Sequence, residues 1–220
     1  MSPRPRRSYD QYCSAARALD AVGDRWTLLI VRELLAGPRR YTDLHADLPG
    51  VSTDVLASRL RDMERDGLTT RRRLPPPGAV SVYELTARGR SLLPVLEALG
   101  TWGAGELGER RPTDAVRAHW FALPLLRALR EAGVTEGLVE VRLEEGDFHL
   151  YAGAGAGAEG EGRPVYGDGP APGEPDARLV LDAGTCAALG RGGTGLRDAV
   201  RDGRVVVTGD GAAAKALREG

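Results

Sequence analysis

Residues 37–85 constrain this chain more than any other stretch. It begins Gly37-Pro38-Arg39-Arg40-Tyr41-Thr42-Asp43-Leu44. Gly37-Pro38 stops whatever helix precedes it, because proline has no amide to give a helix interior. Thr42 can cap a short helix through Leu48, and Pro49-Gly50 makes a turn. Ser52 then caps a third helix that runs to Gly67. Residues 68–74 and 80–85 read as two strands joined by the stiff tip Pro75-Pro76-Pro77-Gly78-Ala79. Arg71, Arg72 and Arg73 lie on the first of these strands. Few folds accommodate helix, turn, helix and then an arginine-bearing hairpin.

That order describes a winged helix, which lays one helix in a DNA groove while the hairpin reaches the backbone. On a helical wheel of about 100° per residue, Leu56, Leu60 and Met63 of the third helix cluster on one side. Asp54, Ser58 and Arg61 lie nearly opposite, with Thr53 and Ala57 toward one flank. Arg59 falls nearer the apolar stripe and serves either structure or a phosphate. Isolated arginines usually belong to a solvated face. Here Arg39 and Arg40 on one side, and Arg71 to Arg73 on the other, flank a groove-reading helix, which points to phosphate contact. The expected DNA-binding set is Arg39, Arg40, Thr42, Ser52, Thr53, Asp54, Ala57, Ser58, Arg59, Arg61, Arg71, Arg72 and Arg73. Arg61 suits guanine, and Thr53 and Ser58 are smaller readers of base edges.

Charge supports this division of labour. Residues 1–112 hold 18 arginines against 14 acidic residues, a net +4, and residues 113–220 carry −5. The basic half can approach phosphate and the acidic half stays away from it. The basic arm at residues 3–7 has no apolar segment behind it, so it is no secretory signal. No apolar run approaches the roughly 20 residues of a membrane helix. Cys13 and Cys186 provide no disulfide framework. The expectation is a cytoplasmic protein with no membrane partner.

Helices are expected over 14–22 and over 25–36, the second capped by Asp24. After the hairpin, Thr86 caps a helix to about Leu107. Its stripe of Leu92, Leu93, Leu96, Leu99 and Trp102 is too wide for an outer surface helix. It serves as intramolecular core or, as favoured here, as a seam between two subunits. A second domain follows: a helix over 114–132, strands over 138–143 and 148–152, a Gly- and Pro-rich tract, strand 177–181, helices 185–189 and 196–201, strand 205–208 and a last helix from Gly211. The fold class is α+β, an N-terminal winged helix-turn-helix over 1–112 and a small α+β domain over 113–220.

The first half resembles the HxlR family of bacterial winged-helix regulators, relatives of the MarR group. The resemblance rests on Cys13, Gly23-Asp24-Arg25-Trp26-Thr27-Leu28-Leu29-Ile30, the segment 37–44 quoted above, residues 56–68 and Tyr83-Glu84-Leu85-Thr86. It implies a homodimer on double-stranded DNA with a two-fold operator. Arg25 stands where the family usually has lysine. The second half is similar to the sterol carrier protein type 2 group, on residues 176–181 and Gly203-Arg204-Val205-Val206-Val207-Thr208-Gly209-Asp210. That implies an apolar pocket for a small-molecule effector. The expected ligand-binding residues are Trp120, Phe121, Leu125, Leu129, Tyr151 and Tyr166, the two tyrosines supplying hydroxyls to orient a ligand.

Other chemistries have weaker support. Cys13 is a lone thiol, most often a small apolar packer. Arg17, one turn on, could favour its thiolate, and some relatives use a cysteine here as a sensor. Cys186 reads as core. Gly155 to Gly160 matches a phosphate-binding glycine pattern in form, but no helix opens after it to cradle a phosphate. His45, His119 and His149 are scattered without metal-ligand spacing. No cofactor, metal or enzymatic constellation is expected. The reading is a ligand-responsive transcription regulator. Its rivals are a regulator whose second domain only dimerises or contacts a protein, a redox sensor acting through Cys13, and an enzyme, which would need a titratable cluster in a pocket.

Overall fold

In the computed structural model, which describes residues 8–75, 80–153 and 164–219, packing divides the chain into two units. One is Met1–Leu34 with Pro38–Leu92, the other Leu35–Gly37 with Leu93–Gly220. The basic arm 3–7, the wing residues 76–79 and the glycine pattern 155–160 lie outside the described residues.

The first unit holds α1 (Ser14–Val22), α2 (Thr27–Leu34), α3 (Tyr41–Ala46), α4 (Thr53–Arg65) and α5 (Ala87–Arg90). Its sheet has strands β1 (Arg39–Arg40), β2 (Thr69–Arg73) and β3 (Ser81–Leu85), antiparallel in the order β1-β3-β2. Ile30, Val31, Leu44, Leu48, Leu56, Leu60 and Met63 are buried and form its core. Each such side chain contributes roughly 1.5–3 kcal/mol by leaving water. The helix expected over 25–36 is shorter, because Asp24 Oδ1 accepts from the Trp26 amide at 2.9 Å, and α2 begins only at Thr27. Arg40, not Thr42, stands at the N-cap of α3. Gly67, at φ +68°, turns the chain from α4 into β2, a left-handed bend that glycine adopts without strain. Thr86 secures that corner: its hydroxyl donates to the Gly67 carbonyl at 2.6 Å and accepts from the Gly89 amide at 3.1 Å.

The single helix expected after Thr86 is broken. α5 stops at Arg90, and α6 (Leu93–Gly103) starts afresh, followed by a 3-10 turn over Ala104–Leu107. Pro94 explains the restart, since in a first turn its missing amide costs nothing. The apolar stripe divides with it. Leu93 and Leu96 are buried within the chain, whereas Val95, Leu99 and Trp102 are exposed, Trp102 by 80%. The five residues expected between subunits therefore divide: Leu93 and Leu96 pack at home, Leu92 is half-buried, and Leu99 and Trp102 face out. α6 packs on α7 (Ala122–Glu131), with Glu97 paired to Arg130 and Thr101 to Arg127. This pairing sets α6 in the second unit, where the sequence had placed residues 1–112 together.

In the second unit a 3-10 turn (Ala118–Phe121) leads into α7. The helix expected over 114–132 thus begins at Ala122, with Pro124 in its first turn. Strands β4 (Gly137–Leu143), β5 (Gly146–Ala152), β6 (Tyr166–Asp168), β7 (Ala177–Val180) and β8 (Val206–Thr208) form one sheet in the order β6-β5-β4-β7-β8. β4 and β7 are parallel and every other pair is antiparallel. Val139, Val141, Phe148, Leu150 and Leu179 are wholly buried. Helices α8 (Ala183–Gly190), α9 (Leu196–Arg201) and α10 (Ala212–Arg218) complete the unit. Asp176 ties the centre together. Its carboxylate accepts from the Leu138 amide at 2.8 Å and its carbonyl from the Gly211 amide at 3.2 Å. A Cβ at Gly211 would lie 2.6 Å from Asp176 Cα, so only glycine fits there.

Candidate nucleic-acid interface

α4 is fastened at its start. The Ser52 hydroxyl accepts from the Val55 amide at 3.3 Å, and Tyr41 of α3 donates its hydroxyl to the Thr53 carbonyl at 2.7 Å. Leu56, Leu60 and Met63 hold the helix from beneath. Thr53, Asp54 and Arg61 are exposed, and Ala57 and Ser58 are half-buried. Ser52 is thus occupied as a cap. Val55, exposed in the first turn, was not foreseen among the readers. A small apolar side chain there suits the methyl group of thymine. Its place on the wheel, away from Leu56 and Leu60, was the available signal.

The arginines sort into two groups. Arg40, Arg61, Arg71 and Arg73 are exposed and carry no carboxylate partner among the described residues. Arg39, Arg59 and Arg72 do not stand free in this way. Arg39 is turned inward, its side chain 15% exposed and 3.6 Å from Asp47. Arg59 bridges Asp24 at 3.5 Å and Asp62 at 2.5 Å, joining α4 to the turn before α2. Arg72 forks onto Glu84 with contacts of 3.1 and 3.2 Å. The Glu84 hydrogen bond, and its charge, push the Arg72 guanidinium pKa up. Arg39 and Arg72, expected to touch phosphate, are thus paired with carboxylates within the unit, and Arg59, read as serving either structure or a phosphate, makes structural pairs. Strand alternation explains the wing: Arg71 and Arg73 share one face, and Arg72 points to the other. Thr42 is exposed beside Arg40, its hydroxyl on Asp43 at 3.2 Å.

Tyr83 of β3 is half-buried with the Arg71 guanidinium 5.9 Å from its ring centroid. Burial pushes its phenol pKa up. Arg71 acts against that, Glu64 and Tyr41 add to it, and Arg61 opposes it.

Of the six expected ligand residues, the two tyrosines lie on different faces of the sheet. Leu125, Leu129 and Tyr166 are wholly buried, whereas Trp120, Phe121 and Tyr151 are half-buried. Tyr166 pairs with Leu150 across the ladder, and Tyr151 is the next residue along β5. With a period of two, the tyrosines project from opposite faces of the sheet, so they do not serve one pocket. Tyr166 stacks on His119 at 5.9 Å and Tyr151 meets His149 edge-on at 5.3 Å.

Cys13 is exposed at the N-cap of α1. The amide of Ala16, and then that of Ala15, lower its thiol pKa. Cys186 is buried, and burial pushes its thiol up to about 12. Among the described residues no helix is long and apolar enough to cross a membrane.

A family model described as HxlR-like helix-turn-helix matches residues 21–111. The HTH-type transcriptional regulator YvaP of Bacillus subtilis is 36% identical over 86 residues, covering 39% of this chain and 80% of that protein. The regulator sll1512 of Synechocystis is 39% identical over 92 residues, 42% of this chain and 68% of its own length. YodB of Bacillus subtilis is 32% identical over 85 residues, 39% of this chain and 76% of that one. The solved structure of reduced YodB aligns at 27% identity over 46% of this chain and 100% of that chain, with a TM-score of 0.40. YodB has also been solved with quinone bound.

Proposed function

This chain belongs to the HxlR-like helix-turn-helix family of DNA-binding transcriptional regulators, and from that premise we propose that it works as a homodimer on a two-fold operator and answers to a mostly apolar small molecule. One observation carries the DNA reading: among the described residues Arg40, Arg61, Arg71 and Arg73 stand exposed without a carboxylate partner, and the first turn of α4 exposes Thr53 and Asp54. Arg40, Arg71 and Arg73 supply phosphate contacts, and Thr53, Val55, Ser58 and Arg61 read base edges. The outward stripe of Val95, Leu99 and Trp102 supports a second copy as the dimer partner. Such a regulator acts on DNA in the cytoplasm.

The effector part of the proposal rests on the likeness of 113–220 to sterol carrier proteins: strand β7, helices α8 and α9, strand β8, then Gly209-Asp210. A ligand held there would bias the dimer between geometries that fit the operator and geometries that do not. Selection of duplexes from a random pool by the full-length protein tests the first part. An enriched two-fold motif is expected, and enrichment of a single unpaired half-site would count against a dimer. Screening hydrophobic metabolites tests the second. A true effector raises the melting temperature and changes operator affinity together. If no compound moves either, the second domain is an interaction module.

A second reading is favoured by the exposure and lowered pKa of Cys13. An exposed thiol at a helix N-cap, with its pKa lowered, is a ready target for oxidants or electrophiles. Loss of operator binding on treatment with a quinone, abolished by Cys13→Ser, is the expected result. Equal loss in the variant would remove Cys13 from the account.

A further inference from the structure

Tyr83 sits on the central strand of the winged unit and has no task in the interface outlined so far. The register sets it opposite Arg39 on β1 and opposite Arg71 on β2. Arg39 is drawn away toward Asp47. Arg71 stays, its guanidinium 5.9 Å from the ring centroid, inside the range of about 6 Å where a cation is attracted to an aromatic face. Arg61 and Glu64 of α4 lie within electrostatic reach of this phenol. The neighbouring Arg72 is on the other face, held by Glu84. Arg73 has Ser81 opposite it and no ring.

We propose that Tyr83 is a positioning residue of the DNA interface: its ring holds the Arg71 guanidinium ready on one face of the wing, so that Arg71, rather than Arg72 on the other face, makes the wing's fixed phosphate contact. The inference rests on the DNA-binding reading. Its physical basis is entropy. A long arginine side chain gives up rotamer freedom when it docks on a phosphate, and one already held by a ring gives up less.

Operator affinity of the full-length protein, measured at several salt concentrations, tests this. Tyr83→Leu weakens binding about two- to fivefold, the range of an exposed cation–ring contact. Tyr83→Phe keeps the ring and recovers what Tyr83→Leu loses. In an Arg71→Ala background Tyr83→Leu has no further effect, whereas with Arg40→Ala the two losses multiply. The proposal is overturned if Tyr83→Leu and Arg71→Ala multiply, or if Tyr83→Phe binds as weakly as Tyr83→Leu. Should Tyr83→Leu fail to fold, the wild-type protein decides by NMR. Arg71 Nε–H is expected to show a ring-current shift that Arg73 lacks, and its absence overturns the proposal. Wild-type protein with no salt-dependent duplex binding would sink the DNA reading instead, while the ring-current shift would still report on Tyr83 and Arg71.

Discussion

The two units differ in where they leave arginine exposed in a group. In the first, Arg40, Arg61, Arg71 and Arg73 face solvent with no carboxylate partner among the described residues. In the second, several arginines are engaged within their own unit, as Arg39, Arg59 and Arg72 are in the first. Arg142 and Arg178 bracket the buried Glu140 at 2.8 and 3.5 Å. Arg127 donates to the Leu189 and Gly190 carbonyls at the end of α8, and Arg130 pairs with Glu97. A cation that is already paired contributes to its own fold, whereas an exposed one without a partner keeps its field and reach for a phosphate. Counting basic residues does not separate these roles; their partners do.

The largest test of the contrast is Phe148→Ala, which empties a wholly buried position of β5. It should cost about 3–5 kcal/mol in urea unfolding. Under conditions where the variant is still folded, its salt dependence on DNA should match the wild type. A changed slope would mean that the second unit also contributes to phosphate binding. Next, Arg61→Ala should cost about 1–3 kcal/mol of discrimination at one operator position with little change in stability. Arg59→Ala should do the reverse, lowering stability by about 1 kcal/mol through loss of the Asp24 and Asp62 pairs, a figure kept small because these groups are partly solvated. A uniform loss across base substitutions for Arg61→Ala would move that residue to the backbone.

On the wing, Arg73→Ala should flatten the salt dependence by about one unit of slope. Arg72→Ala should change it less, because Glu84 already offsets that charge, and Glu84→Gln should steepen it by releasing Arg72. Equal slopes for the Arg72→Ala and Arg73→Ala proteins would erase the distinction between the faces. The smallest effect concerns acid stability. Burial pushes the Glu140 carboxyl up, but the Ala171 amide, with Arg142 and Arg178, holds it below the ordinary range. Its folded pKa is therefore below the unfolded value of about 4.3. The stabilisation is fully present above that pH and is lost as pH falls through the lower folded value. Glu140→Gln should flatten this acid limb, and an unchanged limb would remove Glu140 as its source.

Local periodicity was readable in the chain. α1 and α9 span the residues expected of them, and the wheel of α4 correctly buries Leu56, Leu60 and Met63. What could not be read depends on partners far along the chain. β1 has only two residues, too few to show a strand period. Arg72 differs from Arg71 and Arg73 only because Glu84, 12 residues away, meets it across the ladder. Tyr151 and Tyr166 looked equivalent until the pairing of β5 with β6 put them on opposite faces. Asp47 takes Arg39 but not Arg40, a choice made by the packing of α3 against β1. Pro94 sits in the first turn of α6, where proline starts a helix, so the single helix expected after Thr86 is two.

The strand order β6-β5-β4-β7-β8 bears on how the molecule is made. β8 is the last of these strands to be synthesised and lies at the sheet's edge, while the first unit contains nothing beyond Leu92. Ribosomes add roughly 5–20 residues per second, so on the order of ten seconds separate the two events. During that interval the first unit is complete while the sheet of the second still has a bare edge on β7. Exposed edges of this kind recruit other strands. A nascent chain that pauses before β8 therefore carries a complete first unit beside an unpaired strand edge, which closes only when residues 206–208 are added.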